Sequence, residues 1–195
     1  ITAQSQEIIT TSEATTAASK GEKVDTSDAV KRALRAHLDK EFANEKSQEY
    51  YYFDRDVKYA VYDVNADGVD ELFISYDTTA SHNTDVYIYK NNDYVLTEQV
   101  WEGGISVCLE EQFLFVQQYG GATVTRILNI YDGNLVQTDE LILSASSYTH
   151  NGISITQNEY DKLLSNYQSK EMIELWNNTK PVSELIDISS YQKSN

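Results

Sequence analysis

The spacing of hydrophobic positions along this chain changes twice. Between Thr26 and Asn44, Val30, Leu34, Leu38 and Phe42 recur every fourth residue, an apolar stripe on a helix capped by Thr26 or Ser27. From Lys58 to Leu143 the spacing shortens to alternation, in short runs rich in Val, Ile, Tyr and Thr broken by turn clusters. That is the pattern of antiparallel strands. Lys90-Asn-Asn-Asp93 divides Asp85–Tyr89 from Tyr94–Val100, and Asp132-Gly133 divides Arg126–Tyr131 from Leu135–Asp139, each a hairpin signal. The two hairpins share a pattern about forty residues apart, a blade-like repeat with too few copies for a propeller. Gly103-Gly104 and Gly120-Gly121 mark further turns, and Tyr50-Tyr-Tyr-Phe53 opens the strand region.

Helical spacing returns near the end. Thr156-Gln-Asn-Glu159 fits a capping box, followed by Tyr160, Leu163, Leu164 and Tyr167. Ser169 is expected to cap a second short helix with Met172, Ile173, Leu175 and Trp176 inward, and Pro181 to open a last helical segment. The predicted fold is α+β: one antiparallel β-meander sheet with an N-terminal helix and C-terminal helices packed against it. Residues 1–25 read as a disordered Thr/Ser/Ala-rich tether, too poor in apolar side chains to offset its ordering entropy. Residues 26–195 read as a single domain.

Composition narrows the partners. The net charge is −16 and the isoelectric point near 4.4, so nucleic acid and anionic membrane surfaces, which select basic patches, are not expected. No apolar run approaches the length of a membrane span. The single cysteine, Cys108, lies in the strand-like run Ile105-Ser-Val-Cys-Leu109 and is expected to be a buried, inert thiol.

One stretch demands a specific chemistry. In Asp63-Val-Asn65-Ala-Asp67-Gly68-Val69-Asp70-Glu71, oxygen-bearing side chains stand at the first, third, fifth and ninth positions and a glycine at the sixth. A hard cation takes six to eight oxygens at about 2.3–2.6 Å, which alternate side chains supply when a chain curls around it. Gly68 permits the sharp turn. The expected Ca²⁺ ligands are Asp63, Asn65, Asp67, the carbonyl of Val69, and Glu71. Asp70 breaks the alternation and reads as a solvated or supporting acid. Zinc would call for Cys and His, which the loop lacks.

The loop resembles an EF-hand for nine positions, then departs: the twelfth is Ile74 where an EF-hand needs Glu, and the flanks favour strands. With strands on both sides, D-x-N-x-D-G-x-x-E is similar to the calcium loops of integrin-type FG-GAP repeats. With the following Glu-Leu and an apolar strand, it also resembles loops in secreted proteins and lipoproteins of Gram-positive bacteria. The resemblance covers only the loop and its flanking strands. Loops of this kind bind weakly, about 10⁻⁴–10⁻³ M in extracellular modules, which suits calcium outside the cell; the expectation is a non-enzymatic, extracellular or surface-tethered protein with a structural calcium ion.

Other chemistry is thin. There is no G-x-S-x-G, phosphate loop or H-E-x-x-H. His37 beside the apolar helix face reads as a packing or boundary residue, and His82 and His150 sit in turn-like sequence. Fifteen tyrosines offer flat faces with a hydroxyl, so one alternative is a module binding a surface glycan or protein partner through a Tyr-rich sheet face. A hydrolase with two close carboxylates of divergent pKa is another.

Overall fold

The four-residue stripe does form a helix. The computed structural model describes residues 23–47, 57–77 and 82–191, and α1 spans Ser27–Ser47. Val30, Leu34 and Leu38 are buried; the Phe42 side chain lies outside the described part, as do Tyr50–Phe53 and all of the expected tether except its last three residues. Thr26 stands at the expected cap, its carbonyl accepting from Val30 N–H, but the side-chain bond at the helix start comes from Asp25. Asp25 accepts from the Ser27 N–H at 3.0 Å, whereas the Thr26 hydroxyl lies 3.1 Å from that of Tyr94.

The strands are β1 (Lys58–Tyr62), β2 (Glu71–Asp77), β3 (His82–Lys90), β4 (Asp93–Trp101), β5 (Gly103–Cys108), β6 (Phe113–Tyr119), β7 (Thr123–Tyr131), β8 (Asn134–Ser144), β9 (Ser147–His150) and β10 (Ile153–Ile155). After α2 (Gln157–Gln168) come β11 (Ile173–Glu174) and β12 (Lys180–Pro181). The fold is therefore α+β and mostly antiparallel sheet. Where one sheet was expected there are two: five strands in the order β12-β1-β2-β3-β4, and seven in the order β10-β9-β8-β7-β6-β5-β11.

The division falls at Glu102, not at a glycine turn. Glu102 has φ 52°; its N–H bonds the His82 carbonyl in the first sheet, and its carbonyl accepts from Tyr119 N–H in the second. Gly103 and Gly104 belong to β5. A Cβ at Gly103 would stand 2.1 Å from the Gln117 carbonyl oxygen, so this glycine serves close strand approach instead of a turn.

Both expected hairpins form, and they repeat each other. Thr123 follows His82 by 41 positions and Asn134 follows Asp93 by the same 41. Each turn has two left-handed residues, Asn91 and Asn92 in one, Asp132 and Gly133 in the other, as tight hairpins of this twist require. Each hairpin also carries a one-residue bulge, at Thr97 opposite Val86/Tyr87 and at Thr138 opposite Ile127/Leu128. The threonine hydroxyl donates to the Val86 carbonyl in the first and to the Ile127 carbonyl in the second. The turns touch, with Lys90 Nζ 2.7 Å from Asn134 Oδ1.

Burial follows three clusters. Val30, Leu34 and Leu38 of α1 share one with Tyr59, Leu72 and Ile74. Ala60, Phe73, Val86 and Ile88 of the first sheet share another with Val107, Leu114, Val116 and Leu128 of the second. Leu164 and Tyr167 of α2 pack against Phe113, Phe115 and Ile127. The α2 capping box is present, with Thr156 Oγ1 accepting from Glu159 N–H and Glu159 accepting from Thr156 N–H. The expected next helix is reduced to one 3₁₀ turn, Leu175–Asn177. Ser169 ends α2, Ile173–Glu174 pairs with β5, and Leu175 turns in while Trp176 is half exposed. Pro181 pairs with Lys58 on the sheet edge, where its missing N–H costs nothing, just before a 3₁₀ turn.

Candidate metal centre

β1 and β2 are adjacent antiparallel strands in which Tyr62 faces Glu71, so Asp63–Asp70 must reverse the chain at one end of the first sheet. Left-handed backbone at Ala66 (φ 58°) and Gly68 (φ 90°) makes the reversal. The loop is held by its own side chains. Gly68 N–H donates to Asp63 Oδ2 at 3.0 Å, Asp67 N–H to Asn65 Oδ1 at 3.2 Å, and Val69 N–H to Asp67 Oδ1 at 2.8 Å. Asn65 Nδ2 donates to Asp67 Oδ2 at 2.9 Å, and Val64 N–H to Glu71 Oε2 at 2.9 Å.

Within this network one oxygen has no partner: Asp63 Oδ1, which is buried. Glu71 is 2% exposed. Burial, with the charges of Asp67 and Asp63 nearby, pushes its carboxyl up to about 8, although the Val64 N–H pulls the other way. Desolvation and like charge disfavour the ionised form together. Asp63, Asn65 and Val69 are half-buried and Asp67 is exposed. Among the described residues, no three Asp, Glu, His or Cys side chains stand close enough together to form a ready-made metal group. The donors the loop does offer are all oxygens, the type a hard cation takes, and one of them, Asp63 Oδ1, is buried without a partner. Asp70 is not solvated; it pairs with Lys23 at 3.2 Å.

The loop's outer surface was not evident from its sequence. The Gly68 carbonyl accepts from Val24 N–H at 2.9 Å, and the Asp70 carbonyl accepts from the Tyr94 hydroxyl at 2.8 Å. Lys23 and Val24 thus belong to the folded part, although they fall within the expected tether.

Two further polar groups also escaped the sequence reading. His37 is fully buried, with Nδ1 3.4 Å from Asp85 Oδ2 and 3.3 Å from the Tyr87 hydroxyl. Its ring meets Tyr76 edge-on at 4.9 Å, and Gln99 and Tyr76 donate to Asp85 Oδ1. In the second sheet, Asp139 joins His150 (2.6 Å), Tyr167 (2.6 Å) and Asn151 (2.9 Å), tying α2 to β8 and β9. Burial opposes ionisation of Asp139, but hydrogen bonds from Tyr167, His150 and Asn151 outweigh it and hold the carboxyl below its ordinary range. Glu71 and Asp139 are shifted in opposite directions; Glu71 opens β2 in the first sheet and Asp139 lies in β8 of the second.

Cys108 is free and buried. Among the described residues, Tyr119 and Tyr131 are the exposed tyrosines, and strand register puts them at opposite ends of the β6–β7 hairpin. Tyr59 and Val61 pack toward α1, while Ala60 and Tyr62 pack toward the second sheet, so strand alternation divides the aromatic residues between layers. No helix of the described residues is long and apolar enough to cross a membrane. No protein-family model, no curated protein and no solved structure matches the chain.

Proposed function

We propose that the protein is a non-enzymatic calcium-binding domain, acting outside the cell or tethered to its surface, in which the ion staples β1 to β2. Asp63, Asn65, Asp67, Glu71 and the Val69 carbonyl would hold it. Bound calcium supplies positive charge to a turn that otherwise carries three carboxylates. The observation that carries the reading is the buried, unpartnered Oδ1 of Asp63, beside a Glu71 whose ionisation burial opposes first and the loop's own charges second. The wider frame belongs to the same reading: two meander-like sheets face to face, with α1 against the outside of the first and α2 against the second, make a rigid mount for one loop. Burial of α1 residues with Leu72 and Ile74, and of α2 residues with Phe113 and Phe115, supports it. Placement outside the cell rests on the weak affinity expected of such a loop, which suits millimolar calcium.

Thermal unfolding in EDTA and in about 2 mM Ca²⁺ tests this. For an affinity of about 10⁻⁴–10⁻³ M, linkage gives roughly 0.6–1.8 kcal/mol of stabilisation, and so a rise of about one to seven degrees. Asp67→Ala should remove the rise. An unchanged midpoint together with no calorimetric heat would reduce Asp63–Glu71 to a turn.

A further inference from the structure

We infer that the calcium loop is also a latch: ion binding at Asp63–Glu71 fixes the segment Lys23–Ser27 and thereby the point where the preceding residues enter the domain. This rests on the calcium reading above. The backbone from Gly68 to Asp70 works on both sides. Its Gly68 and Val69 N–H groups face inward and donate to the Asp63 and Asp67 carboxylates. Its Gly68 and Asp70 carbonyls face outward and accept from Val24 N–H and from the Tyr94 hydroxyl. The Asp70 carboxylate pairs with Lys23, and Tyr94 reaches on to Thr26, whose carbonyl takes the first bond of α1 from Val30 N–H. A shift of the inner carboxylates is therefore a shift of the acceptors that hold the segment.

Thr26 is buried, but burial does little to hold the start of the segment. The Lys23 side chain is 73% exposed and Val24 is 40% exposed. A pocket of about 540 Å³ is lined by this stretch together with Val30, Tyr59, Val61 and Leu185. At its start the segment is fastened by the Val24 hydrogen bond and by an ion pair whose lysine is largely exposed, which places its local opening free energy near the low end for a folded chain. Its acceptors sit on the element that loses charge repulsion when calcium binds. Without the ion, the loop loses the bridge that joins Asp63, Asp67 and Glu71, the Asp63 and Asp67 charges are left unneutralised, the turn relaxes, and Lys23–Ser27 lifts from it.

Hydrogen exchange of the full chain, read beside calorimetry on the same samples with Ca²⁺ as the titrant, decides the matter. In about 2 mM Ca²⁺ the amides of residues 23–27 should exchange about 3- to 20-fold more slowly than in EDTA, the factor set by the expected affinity. Val24→Pro, which deletes the N–H given to Gly68, should abolish that slowing at Asp25–Ser27 while the calcium heat persists; Val24→Ala should retain both. Calcium heat with unchanged exchange at 23–27 in the parent chain would overturn the latch and leave the calcium reading standing. No calcium heat would overturn both.

Discussion

A carboxyl group buried beside two others makes Glu71 the residue whose proton the fold controls most directly. Its folded value of about 8 lies above its ordinary value of 4.5, so between those limits the folded, metal-free chain keeps a proton that the unfolded chain gives up. Stability in EDTA should therefore fall as pH rises from 4.5 toward 8 and level off above, with a slope of at most about 1.4 kcal/mol per pH unit. Melting curves from pH 5 to 9 would show it, and about 2 mM Ca²⁺ should flatten the decline; a level profile in EDTA would mean Glu71 ionises normally. Asp139 runs the other way. Held below its ordinary 3.8, it adds stability above that value, lost as the solution is acidified through its folded pKa. Asp139→Asn should cost on the order of 1 kcal/mol at pH 7 in urea unfolding, with the gap closing below pH 3. The loop was legible because its residues are near neighbours in sequence and its spacing is itself the chemistry. Tyr94 with Thr26, or His37 with Tyr87, are 68 and 50 residues apart; only the packed chain brings them together, and no local pattern announces them.

Among the elements, hairpins and the capping box were readable because each is closed by contacts within a few residues. The turn residues Asn91-Asn92 and Asp132-Gly133 reach left-handed backbone readily. The glycine pair at 103–104 misled for the opposite reason: a glycine that permits a turn and one that permits close approach look alike in sequence. The Gln117 carbonyl oxygen 2.1 Å from a Cβ on residue 103 settles which it is. Gly103→Ala should cost about 1–3 kcal/mol by displacing β5 from β6, seen as a lower denaturant midpoint, whereas Gly104→Ala, with nothing within 4 Å, should be nearly silent. The stretch after α2 went astray because Met172, Ile173, Leu175 and Trp176 fit helical spacing, yet the edge of β5 offered Ile173 and Glu174 strand partners. Tertiary pairing overrode a weak local preference.

At the scale of the molecule, the first sheet is the shared wall of two hydrophobic clusters, one with α1 and one with the second sheet. Leu34 and Leu114 are each fully buried, one in either cluster. Each Leu→Ala change should cost about 2–5 kcal/mol, and with a common wall both variants should still unfold in one transition, coincident by near- and far-ultraviolet circular dichroism. Separate transitions would show that the layers fold independently. That same wall ends, among the described residues, in a nine-residue outer strand, β4. A straight strand with a free edge is a template on which further chains can add, end to end, into fibres. Thr97, the surplus residue of the β3–β4 hairpin, breaks the rhythm of that edge halfway along, so an incoming strand in step over Asp93–Leu96 is out of step beyond it. Deleting Thr97 would restore the rhythm, and light scattering should then report more self-assembly than in the parent chain, although both carry a net charge of −16.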